Sequence, residues 1–138
     1  MLDFIKDFQS TVLGTLDEKG LPFGSYAPFV HHEHKFYIFI SNVAKHARNL
    51  QATPKSSLLF IEDESKTEQI FARKRISLQC SSQMINRDDA KFQDVMNIFK
   101  KKFSQEMVTM LMGMQDFNLY ELSTDYGEAT FGFGEAYN

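Results

Sequence analysis

The sequence predicts a mainly β fold of the α+β kind, a small closed antiparallel barrel of six or seven short strands with two or three appended helices. Three observations carry this. Runs rich in β-branched and aromatic residues follow one another across short polar turns, without regular alternation of strand and helix, which favours hairpins over a parallel sheet. The strands are short, yet 138 residues hold 14 Phe and 5 Tyr, an aromatic load suited to a closed interior. One long stretch, from Arg87 onward, has helical periodicity.

Leu2, Phe4, Ile5 and Phe8 form a short amphipathic turn or two, and Ser10 to Leu16 is a first strand. Asp17-Glu18-Lys19-Gly20 is a polar loop that returns the chain as a hairpin through Pro22 to Val30. After the polar His31-His32-Glu33-His34, the run Lys35 to Ile40 is too short and too β-branched for a helix and reads as a buried strand. Ser41 and Asn42, good capping types, open a short helix in which Val43, Ala44, Ala47 and Leu50 recur until Pro54. Ser56 to Ile61 and Ile70 to Cys80 are strands; in the second, Ile76, Leu78 and Cys80 alternate with Ser77 and Gln79.

Phe92, Val95, Met96, Phe99 and Phe103 make one apolar stripe, with Asp88 and Asp89 at its start and Lys100 to Lys102 near its end, as the helix dipole favours. Met107 to Met112 is a further helical segment stopped by Gly113. Phe117 to Leu122 and Ala129 to Phe133 are two final strands. No repeat or linker divides the chain, so residues 1–138 are expected to form one domain.

Composition excludes several classes of function. With 43% hydrophobic and 24% charged residues the chain is too apolar to be disordered. No apolar run approaches the roughly 18 residues of a membrane span, and the charged opening Met1 to Asp7 is no signal peptide, so a cytoplasmic location away from membranes is expected. A lone Cys80 makes no internal disulfide. Lys and Arg number 15 against 18 Asp and Glu, without a basic tail, which argues against nucleic acid as a partner. The excess of aromatic residues predicts instead a homodimer that covers apolar faces near Ser25 to Phe29 and Lys35 to Ile40.

Several clusters could carry chemistry. His31, His32 and His34 around Glu33 resemble a ligand set, but nothing else supplies a partner pair at a recognisable spacing, and the hairpin turn is the better reading. Ser41, Lys45 and His46 at a helix start form either an anion or phosphate site or a capped, solvated surface helix. Arg73 and Arg75 on one strand face either bind a phosphate or propionate or guard a strand edge. Cys80 reads as buried packing and the Met-rich run Met107 to Met114 as helix core.

Several strings, taken in order, resemble the flavin-binding split barrels related to pyridoxamine-phosphate oxidase, and within them the haem-utilisation branch. These are Gly20 to Phe29, Ile40 to Leu50 followed by Pro54, Ser57, Leu58 and Leu59, then Arg73-x-Arg75, Asp116-Phe117-x-Leu119-Tyr120 and Gly132-Phe133-Gly134-x-Ala136-Tyr137. The resemblance implies a split β-barrel homodimer with its ligand at the subunit interface. For FMN it places Ser25, Tyr26, Ala27 and Pro28 along the ring system and Ser41, Lys45 and His46 near the phosphate. Lys45-His46 stands where the flavin enzymes carry an Arg-Lys pair. For haem it matches Asp116 to an aspartate that holds a histidine ligand of the iron. That histidine belongs to a tail beyond the Gly-Phe-Gly string, whereas this chain ends at Asn138. A longer protein, ligation by another group such as His46, or a different ligand would each answer this. The expectation is a haem-binding or haem-breakdown protein, with an FMN-dependent oxidoreductase or a ligand-free barrel as the alternatives.

Overall fold

Six of the strands close on themselves. In the computed structural model, which describes residues 2–132 and 135–137, the barrel strands are β1 (Ser10–Leu16), β2 (Pro22–His32), β3 (Lys35–Ser41), β4 (Lys55–Ile61), β5 (Arg75–Ile85) and β6 (Phe117–Gly132). They lie in the order β3-β2-β1-β4-β5-β6, each antiparallel to its neighbours. The additional β3–β6 pairing, from Phe36↔Leu122 to Ser41↔Phe117, closes the sheet and satisfies what would be two edges. A short β7 (Glu135–Tyr137) pairs with the end of β6.

Period-two patterning places the core. Leu13, Phe29, Ile38, Leu58, Phe60, Ile76 and Leu122 point into the barrel and are nearly or fully buried. Two helices close its ends. In α1 (Leu2–Ile5) the buried Ile5, with Phe4 and then Phe8, packs onto this cluster, and in α2 (Lys45–Ala52) Ala47 and Leu50 do the same. An eight-residue helix is marginal in water, so burying Leu50, worth roughly 1.5–3 kcal/mol, is what holds α2 in place. A second cluster lies outside the barrel, where Val95, Met96 and Phe99 of α3 (Ala90–Lys102) and Val108 of α4 (Gln105–Met112) cover Tyr37, Phe39 and Leu119. Asp89 caps α3 and Ser104 caps α4, each accepting from a backbone N–H two or three residues on.

The structure corrects the sequence reading at several points. Residues Ile70–Ala72 form a 3-10 turn, and β5 starts only at Arg75, so Arg73 lies outside the strand and does not share a face with Arg75. The helix after β3 begins at Lys45, with Ala44 rather than Ser41 or Asn42 at the capping position. Instead, the Ser41 hydroxyl accepts from the Val43 N–H at 3.1 Å in a turn before it. The two final strands are one, β6, within the described residues, with an irregularity opposite Gln79 and Cys80; Phe133 lies outside them. Four α-helices, α1 included, replace the two or three expected. The face of Lys35 to Ile40 is not available to a second copy, because the barrel interior takes one side of β3 and α3 and α4 cover the other.

The His31 to His34 segment is a two-residue hairpin, with Glu33 and His34 at φ of 48° and 69°. Both turn positions thus adopt the left-handed conformation that a tight hairpin demands, although neither is the glycine or asparagine that adopts it most easily.

Candidate functional site

The side chains expected to act gather where the start of α2 meets β2 and the beginning of β6. β2 alternates, so Phe23, Ser25 and Ala27 face inward while Gly24, Tyr26 and Pro28 face out. The Ser25 hydroxyl lies 2.7 Å from His46 Nδ1. The contact spans 21 residues and exists because α2 packs across the barrel end over β1 and β2. Burial holds the His46 imidazole below its ordinary pKa, so the ring is neutral near pH 7. Its Nε2 meets no described residue. An imidazole fixed through one nitrogen with the other free is the usual arrangement of a proton acceptor or metal ligand.

A second pair forms beside it. Ser41 at the end of β3 donates its hydroxyl to Asp116 Oδ2 at 2.5 Å, and the Asn42 N–H donates to the Asp116 carbonyl at 2.8 Å. The other carboxylate oxygen of Asp116 has no described partner. Asn42 Oδ1 accepts from Gln51 and Asn118, and Arg48 donates to the carbonyls of Asn42 and Val43, so the 41–44 turn is tied down on three sides. Lys45, the first residue of α2, lies 3.8 Å from Asp17 of the β1–β2 loop and over the Phe23 ring. Asp17 in turn accepts from the Lys19 and Leu21 N–H groups, and the Leu21 bond is the leading cause of its lowered pKa.

The remaining expected residues take other places. Tyr26 is 67% exposed on the outer face beside Val12, with which it pairs across the strands, and Ala27 is buried in the barrel. Pro28 is exposed on the Tyr26 face. Arg73 donates to the Glu62 carbonyl and lies 3.8 Å from Glu64, and Arg75 donates to the Arg73 carbonyl. Neither arginine joins the Ser25, Ser41, Lys45, His46 and Asp116 group. Cys80 is buried, and that burial pushes its thiol up to about 11, which removes it as a nucleophile near neutral pH.

Asp17 was not singled out by sequence reasoning, because it sits in an ordinary polar loop and nothing in local spacing signals a partner nearly thirty residues along the chain. Asn42 was read as a helix cap, whereas its side chain ties the 41–44 turn to Gln51 and Asn118.

The outer face of β2, β1 and β4 has a distinctive floor. Gly24 pairs with Gly14, and Gly14 with Ser57, so one row across three strands carries almost no side chain. A Cβ on Gly14 would collide with Ser57 Oγ, whereas one on Gly24 would meet open space. Tyr26, Val12 (42% exposed) and Leu59 border this strip, and no helix covers it.

The donor set comprises an imidazole whose Nε2 makes no hydrogen bond to a described residue, a half-exposed lysine at a helix start and a carboxylate with one oxygen free of described partners. Lys45 and the Ser41 hydroxyl are each engaged by a carboxylate, so any acidic group of a ligand, phosphate or propionate, would have to share or displace Asp17 and Asp116.

Comparison with known proteins gives three further findings. The family model described as pyridoxamine 5'-phosphate oxidase matches residues 1–131. The heme oxygenase HutZ of Vibrio cholerae serotype O1 is 37% identical over 135 residues, 98% of this chain and 76% of that protein. Among solved structures, HutZ from Vibrio cholerae, described there as a heme storage protein, superposes with a TM-score of 0.90 at 34% identity, over 97% of this chain and 95% of that one. Campylobacter jejuni ChuZ gives a TM-score of 0.90 at 33% identity, covering 99% of this chain but 56% of its own.

Proposed function

The chain belongs to the pyridoxamine 5'-phosphate oxidase family, and on that premise we propose that it binds haem for haem utilisation, as cargo or as the substrate of ring breakdown, with residues 1–138 acting as one domain of a homodimer. The observation that carries this reading is likeness to HutZ along nearly the whole chain, at 37% identity, including the barrel that presents the candidate residues.

On this reading each residue has a distinct task. Lys45 and the free N–H groups at the start of α2 hold a propionate. His46, positioned by Ser25, presents Nε2 to the iron, and its lowered pKa keeps that lone pair available at neutral pH. Asp116, fixed by Ser41, would offer its free oxygen to the ring N–H of a second imidazole, since both nitrogens of His46 are already assigned, and would orient and strengthen that ring as a ligand. The exposed strip of Gly24, Gly14 and Ser57 with Tyr26 and Val12 provides the face on which a second copy seats.

The test is an absorbance titration of the purified chain with haem and, separately, with FMN. A saturable Soret band is expected with haem and no bound yellow chromophore with FMN. His46→Ala is expected to shift or abolish that band while the far-ultraviolet circular dichroism stays that of the wild type. Uptake of FMN in preference to haem would replace this reading with the flavin one, and a chain that takes up neither would refute both.

A further inference from the structure

A cavity of about 350 Å³ opens at the other end of β2, beside α1, six residues and roughly 20 Å along the strand from Ser25. α1, the last inward turns of β2 and the final turn of α3 enclose it, and Leu2, Ile5 and Ile98 give it a mostly apolar wall. The volume lies in the range of small-molecule sites. Three basic residues line it, Lys102, His31 and the largely exposed Lys6, together with Asp3.

Lys102 is half-buried yet has no carboxylate partner among the described residues. Its Nζ donates to the Phe29 carbonyl at 2.7 Å and lies 3.7 Å from the centre of the Phe29 ring. Those contacts aim the ammonium inward but leave two of its three protons unused. The His31 ring lies tilted by 54° against Phe36 with centroids 4.6 Å apart, and neither of its nitrogens has a described hydrogen-bond partner. The acid nearest this cavity, Asp3, is turned to solvent and paired with Lys6. Among the described residues, Lys102 and His31 therefore face the cavity without an anion of their own, Asp3 being paired with Lys6.

We propose that this cavity binds a medium-chain monocarboxylate, whose carboxylate bonds Lys102 and His31 and whose chain lies against Leu2, Ile5 and Ile98. The charge argument selects the ligand. Burial, with the nearby charges of His34, His32 and Lys102, keeps the His31 ring neutral, and Lys6 and Asp3 offset each other, so the site carries a net single positive charge and matches a monoanion rather than a phosphate dianion. The apolar wall selects a ligand with a hydrocarbon body rather than a bare anion such as acetate. A role of Lys102 limited to closing the α3 dipole would explain where its stem runs, but not the unpartnered His31 or the open volume beside it.

Burial also pushes the Lys102 amine down to about 8. The other charged and titratable groups at the cavity are Asp3 of α1, Lys6 just after it and His31 of β2, with His32 and His34 of the hairpin acting on His31. Binding should therefore weaken as pH rises above that value, since the ammonium is the form that attracts the carboxylate.

The experiment is isothermal titration calorimetry of the full chain with sodium octanoate, acetate and inorganic phosphate at about pH 7 and about pH 9.5. One-site binding of octanoate is expected, at least about tenfold tighter than acetate or phosphate and at least about tenfold weaker at the higher pH. Lys102→Met should lower the octanoate affinity at least about tenfold, and Lys101→Met, on the exposed side of the same turn, should not. Ile98→Trp, which fills the cavity without touching a charge, should abolish binding and serves if Lys102→Met fails to fold. Absence of saturation up to about 10 mM octanoate, equal binding of acetate, or unchanged affinity in Lys102→Met with its fold intact would each overturn the proposal. None of these outcomes depends on whether the chain binds haem.

Discussion

Lys45 already has an anion beside it. The Asp17 carboxylate 3.8 Å away must be displaced or shared when a propionate arrives, and the lysine side chain is 40% exposed, so solvent screens part of any gain. A charge-assisted contact of about 1.5 kcal/mol, the low end of its range, sets the expectation: Lys45→Ala should weaken haem binding about tenfold. Asp17→Asn should do the opposite. Asparagine keeps the side-chain oxygen that accepts from Lys19 and Leu21 and removes only the competing charge, so affinity should rise in the same titration. An Asp17→Asn protein that binds haem more weakly would show that the pair organises the site instead of occluding it. The sequence grouped Ser41, Lys45 and His46 at a helix start and carried Ser25 and Asp116 through family likeness. It did not reveal that Ser25 meets His46 and that Ser41 meets Asp116, because those pairings span 21 and 75 residues and exist only once the barrel has closed.

At the scale of elements, the docking of α3 rests on a buried carboxylate. Glu121 of β6 is only 7% exposed. Burial opposes its charge, but the Tyr37 hydroxyl at 2.7 Å and the Lys91 ammonium at 3.0 Å prevail and hold its pKa below the ordinary value. A carboxylate with a depressed folded pKa contributes stability above its unfolded pKa and loses that contribution as pH falls through the folded one. Glu121→Gln should therefore cost roughly 1–3 kcal/mol near pH 7, read from urea denaturation, and the difference from wild type should shrink toward zero in acid. A difference that stays constant with pH would mean that Glu121 acts through packing alone. Elements with a clear period were legible: β1 and β4 fall within a residue of their expected bounds, and α3 matches its Phe92 to Phe99 stripe. Ile70 and Phe71 were misread because an exposed apolar pair in a turn looks, in sequence, like the start of the strand that follows. β6 was read as two strands because its polar middle, Ser123 to Gly127, resembles a loop. There the strand pairs with β5 while turning mostly polar side chains outward.

At the scale of the molecule, closure of the barrel leaves an uncovered apolar face, among the described residues, on one of the two segments the aromatic count pointed to, Ser25 to Phe29, and none on the other, Lys35 to Ile40. β3 is enclosed on both sides by its own chain, whereas Tyr26 and Val12 border a strip of Gly24 and Gly14 that lets another surface approach the backbone closely. On the proposed function this is the face on which a second copy would seat. Among the described residues, no helix is long and apolar enough to cross a membrane. The proposed function requires two copies of the chain to hold haem between them. Sedimentation velocity of the haem-loaded protein at micromolar concentration, recorded at the Soret band, is the decisive test. The haem absorbance should sediment with a species of about twice the mass of the chain. Haem absorbance that travels with a monomer, or that remains behind with free haem while the protein sediments, would contradict it.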